Sequence, residues 1–109
     1  MAYLHYDREG IMATYVVLFN LTAEGAIKAK EIPQGIDDAH KRIEGMGGKV
    51  IGCYGVMGPY DFVGIYDLPG DQAAVMYALG MAMSGYVHST TMKAFPYEEF
   101  GQIIKGMPQ

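Results

Sequence analysis

Seven consecutive residues, Thr14-Tyr15-Val16-Val17-Leu18-Phe19-Asn20, constrain this chain more than any other feature. They are rich in β-branched and aromatic side chains, which favour a pleated backbone, and they are apolar at successive rather than alternate positions. Such a strand points apolar groups to both sides, so it belongs in the middle of a sheet covered on both faces. A chain of 109 residues has room for one domain. A charged fraction of only 18% with half the residues hydrophobic is low for so small a body, so part of its surface is expected to be covered by another subunit.

The rest of the chain supplies the neighbours of this strand. Thr22 opens a helical region that Pro33 must split, because proline cannot donate in a helix interior. Downstream, Ile36, Ala39, Ile43 and Met46 fall on one helical face, and Gly47-Gly48 provides a left-handed end. Two strand-like runs, Lys49–Met57 and Asp61–Leu68, meet at the turn Gly58-Pro59-Tyr60. Asp71 is expected to cap a helix from Gln72 to about Met83 that is apolar nearly all round. Tyr86–Phe95 reads as a fourth strand, and Tyr97–Lys105 as a short amphipathic helix with Phe100, Ile103 and Ile104 inward.

That order predicts an α+β fold of the ferredoxin-like kind, βαββαβ with a C-terminal helix: a four-stranded antiparallel sheet, helices on one face, the other face bare. A bare apolar sheet face marks a ligand or a subunit, and a homodimer through the sheet is the simplest cover. Residues 1–11 read as a leader or extension before a second apparent start at Met12-Ala13-Thr14, leaving residues 12–109 as a single domain.

Several function classes are disfavoured. A formal charge of -4 without any basic run argues against nucleic acid. One cysteine, Cys53, permits no internal disulfide and no cysteine-rich metal site, and with no signal-peptide core at the N-terminus it points to the cytoplasm. The 21 uncharged residues from Gln72 to Met92 could cross a bilayer by length, but Ser84-Gly85 and His88-Ser89-Thr90-Thr91 interrupt them, so a buried helix and strand are expected instead of a membrane span. Neither a phosphate-cradling glycine loop nor a metal-ligand spacing is present, and no cofactor is expected.

Candidate chemistry is sparse. At the hairpin tip, Tyr60 and Asp61 could present a phenol and a general base to a cleft, or Asp61 could simply bond turn amides while Tyr60 packs beside it. Alternation predicts Val63 and Ile65 on the helix-covered face of the third strand, with Phe62, Gly64 and Tyr66 on the open face. In the fourth strand it predicts Met92 and Ala94 covered, with Ser89, Thr91 and Lys93 open. Tyr54 is expected on the open face of the second strand. Together with His88, the one histidine inside the sheet, Tyr54, Tyr66, Thr91 and Lys93 would line either a small-molecule pocket or a tyrosine-rich subunit interface. Gly64 would make room for a ligand or another backbone.

The stretch Gly47-Gly48-Lys49-Val50 leading to Gly52, then Tyr54, Gly58-Pro59-Tyr60-Asp61-Phe62-Val63, Thr90-Thr91 and Ala94-Phe95, with Glu98, Glu99 and Phe100 after them, resembles the GYD-domain family. The resemblance covers about residues 13–106. It implies the architecture of the dimeric α+β barrels, with pairing sheet to sheet and sometimes higher oligomers. Proteins of that architecture include cofactor-free isomerases, small monooxygenases and plain binding or assembly proteins. The expected function is therefore an oligomeric small-molecule-binding or assembly domain. The alternatives are a cofactor-independent isomerase- or monooxygenase-like enzyme in the inter-sheet cavity, with His88 or Asp61 as base and Tyr54 or Tyr66 orienting substrate, and a regulatory module for a protein partner.

Overall fold

The structure, a computed structural model, describes residues 12–109; the leader expected over residues 1–11 lies outside them. Strand β1 spans Ala13–Leu21, and a short helix α1 follows at Ala23–Ile27. A 3-10 turn, Ala29–Glu31, leads into α2 at Ile32–Gly45. Then come β2 (Lys49–Gly55), β3 (Phe62–Leu68), α3 (Asp71–Met83), β4 (Val87–Ala94) and α4 (Tyr97–Lys105). The four strands form one sheet in the order β2-β3-β1-β4, all neighbours antiparallel, which is the ferredoxin-like plan.

Local chemistry explains the boundaries. The hydroxyl of Thr22 accepts from the Gly25 amide and caps α1. Pro33 sits in the first turn of α2, where a missing amide costs nothing. The end of α2 is a Schellman turn: Gly47 adopts φ 89°, its amide donates to Glu44, and the Gly48 amide donates to Ile43 at 2.9 Å. Asp71 does not cap α3 as expected; Gly70, at φ 95°, occupies that position, and the Asp71 carboxylate turns to other partners.

The core lies between the sheet and the helices. Tyr15, Val17 and Phe19 of β1, Phe62, Tyr66 and Leu68 of β3, and Val87 of β4 meet Ala39 and Ile43 of α2 and Ala73, Ala74 and Tyr77 of α3. Phe19 stacks on Phe62 with ring centroids 4.6 Å apart. This corrects the expected facing of two strands. In β3, Phe62 and Tyr66 face the helices while Val63 and Ile65 face out. The register pairs Val17 with Thr91 and Tyr15 with Lys93, so Ser89, Thr91 and Lys93 of β4 lie on the helix side, with His88, Thr90, Met92 and Ala94 on the open one.

The C-terminal helix also departs from expectation. Phe100, Ile103, Ile104 and Met107 form one stripe along and just beyond α4, but each is about half exposed or more, rather than inward. On α3 only one side is buried; Val75, Met76, Leu79 and Met83 remain exposed.

Candidate functional site

The open face of the sheet is a consequence of β1. Its even-numbered positions carry Val16 and Leu18, and the register places Ile65 and Val63 directly opposite them. Tyr54 of β2 extends the patch on one edge at 60% exposure and Met92 of β4 on the other at 44%. Every core residue contributed by β1 and β3 lies on the opposite face, so none of this apolar surface is used to bury the chain's own helices. Tyr54 keeps its expected place there, and its ring lies back over Gly52, where a Cβ would come within 3.0 Å.

One end of this face is polar. The Asp61 amide donates to the Phe19 carbonyl at 2.9 Å, and the Asp61 carboxylate accepts the Leu21 amide at 2.7 Å, so the side chain continues the β1–β3 ladder past the end of β3. Asn20 donates to the Pro59 carbonyl at 3.1 Å, while its own amide oxygen is buried and has no donor among the described residues. His88 lies directly opposite Asn20 on the exposed edge strand. Tyr60 is half-buried beside them in the turn. The structure therefore brings Tyr60, Asp61 and His88 to the same end of the sheet. One oxygen of the candidate base Asp61 is already engaged by backbone.

The remaining expected site residues are elsewhere. Tyr66, at 2% exposure, accepts from the Tyr77 hydroxyl at 3.2 Å beneath the helices, with the His40 ring edge-on at 6.2 Å. Burial pushes both phenols above their ordinary range. Gly64 makes room neither for a ligand nor for a second backbone but for Tyr66 itself, whose hydroxyl would lie 2.0 Å from an added Cβ. Tyrosine can be buried this way because its hydroxyl finds a partner. Cys53 shares this side; burial raises its thiol, the opposite of what a nucleophile requires.

Lys93 and Thr91 line a shallow cleft between β4 and α3. The Lys93 ammonium is 3.2 Å from the Asp71 carboxylate, which also accepts the Tyr15 hydroxyl. The Tyr15 hydrogen bond first, and Lys93 next, hold the Asp71 carboxyl below the usual carboxylate range. Asp71 escaped the sequence reading because its position before an apolar helix made capping the obvious role. No group of three His, Cys, Asp or Glu side chains comes together among the described residues. None of their helices is long and apolar enough to cross a membrane.

The family model described as GYD domain matches residues 15–104. A protein of Thermus thermophilus, named glutamine synthetase and cystathionine beta-lyase binding protein, is 33% identical over 86 residues. That match covers 78% of this chain and 90% of the relative. No solved structure matches.

Proposed function

The chain belongs to the GYD-domain family, and from that premise we propose that it is a protein-binding module: a homo-oligomer closed through the open sheet face that docks on a metabolic enzyme. The observation that carries this reading is apolar surface that no helix or loop covers among the described residues. Val16, Leu18, Val63 and Ile65, each partly exposed, lie side by side between the exposed Tyr54 and Met92, and the outer side of α3 adds Val75, Met76 and Leu79. Surface of this kind costs solubility unless another protein covers it. An apolar sheet face suits pairing with the same face of a second copy, and the helical faces remain for a different partner. The Thermus relative is named for binding glutamine synthetase and cystathionine beta-lyase, which supports the same class of partner here.

Sedimentation equilibrium at micromolar concentration tests the first half: the native chain is expected as a dimer or larger, and Ile65→Glu, which places a charge at the centre of the open face, as a folded monomer. A native monomer would overturn it. Titration calorimetry against glutamine synthetase and against cystathionine beta-lyase tests the second half. Heat is expected with at least one of them and is lost on Val75→Asp with Leu79→Asp; silence with both removes the proposed partner class.

A further inference from the structure

On the helix side of the sheet, away from the open face, a cleft of about 550 Å³ lies between α2 and the C-terminal half of α3. We propose that it binds a small amphipathic carboxylate, its apolar body against Leu21, Ile36, Phe62 and Met81 and its carboxylate on the Arg42 guanidinium. The volume suits a small organic molecule, and a mostly apolar lining with a few placed polar groups is how such sites are built.

Two features keep the cleft open. Gly35 of α2 lines it, and a Cβ there would meet no atom within 4 Å, so this wall of the cleft carries no side chain and borders open space. At the far end, Gly25 lets α1 close against the chain entering β4: a Cβ would lie 2.1 Å from the Tyr86 carbonyl oxygen, and the Thr22 amide and hydroxyl bond the Tyr86 and Gly85 carbonyls. α1 is thereby pinned as an end wall.

Arg42 selects the charge of the ligand. Its guanidinium donates to the Met81 thioether at 3.4 Å, a weak acceptor, and forms no ion pair among the described residues. A planar fork of donors held at the lip of an apolar cleft by a sulfur atom is matched by a carboxylate, which accepts two of its N–H groups at once. Lys28 and Lys30 lie on the same rim, as do Glu31 and Asp38; the Asp38 carboxylate is engaged by the Gln34 side chain at 2.9 Å. A ligand held here leaves the open sheet face free.

Decanoate and its neutral counterpart decanol are suitable probes, followed by calorimetry and by the methyl resonances of 13C-methyl-methionine protein. Decanoate is expected to bind and to shift the Met81 methyl, with decanol weaker. Arg42→Gln should weaken decanoate about tenfold or more and leave decanol unchanged. Gly35→Leu fills the space without touching the backbone and should abolish both, its fold checked by thermal unfolding. The proposal fails if decanoate does not bind at up to about 1 mM, if the Met81 methyl stays unmoved during binding, or if Arg42→Gln binds decanoate as tightly as the native chain does.

Discussion

Single glycines do unequal work in this fold, and their differences can be measured. At Gly64 a methyl group would land on the Tyr66 phenol, so Gly64→Ala must drive a buried ring out of its place and break its contact with Tyr77. A loss of about 1–3 kcal/mol is expected in urea unfolding. At Gly35 the same change meets nothing, and replacing this glycine near the start of α2 by alanine should stabilise by up to about 1 kcal/mol. Asp71 makes a pH prediction. Its carboxyl is held low by Tyr15 and Lys93, so the folded state favours the ionised form. That stability is present above about pH 4, the ordinary carboxylate value, and is lost as pH falls through the lower folded one. The native chain should therefore exceed Asp71→Asn at neutral pH by a margin that shrinks toward zero in acid. The Asp71 side chain is 70% exposed, so water screens the pair and the margin stays below about 1 kcal/mol.

At the scale of elements, the exposed stripe of α4 contributes little to folding of the monomer. In the Ile65→Glu background, which separates folding from assembly, Phe100→Gln with Ile104→Gln should leave the urea midpoint nearly unchanged, whereas Ile43→Ala, at a fully buried position of α2, should cost about 2–5 kcal/mol. The elements themselves were legible because each carries its own punctuation: Thr22 and Gly47-Gly48 around the helices, Gly58-Pro59 between strands, Pro96 before α4. Which side of each strand turns inward was not. β3 alternates Phe62, Gly64, Tyr66 with Val63, Ile65, and neither set is polar enough to declare itself outward. Only the register, which pairs Tyr66 with Tyr15 and with Val50, decides it. In β2 a bulge between Val50 and Gly52 places Val50 and Cys53 on the same side although they are three residues apart, so simple alternation misreads that strand as well. The cleft beside Arg42 was illegible for a different reason: its walls come from segments far apart in sequence, and its defining feature is a side chain that Gly35 lacks.

At the scale of the whole molecule, the ferredoxin-like plan sets its helices on one side of the sheet and leaves a patterned apolar surface on the other. The family resemblance implies association, and the exposed apolar residues lie in two separate places, one on the sheet and one on α3. Their separation has a consequence for stoichiometry. In the dimer proposed above, two chains joined face to face through their sheets would carry their α3 surfaces on opposite outer sides, back to back, so one dimer could not lay both on the same flat neighbour. It would have a valence of two, pointing in opposite directions. Mixed with an enzyme that itself has several identical subunits, such a connector would build chains and networks in place of a closed complex. Light scattering should then peak where binding sites on the two proteins are equal in number and fall when either is in excess, as in the equivalence zone of an antibody precipitate; a complex of constant size at every mixing ratio would show that the two surfaces are not used together.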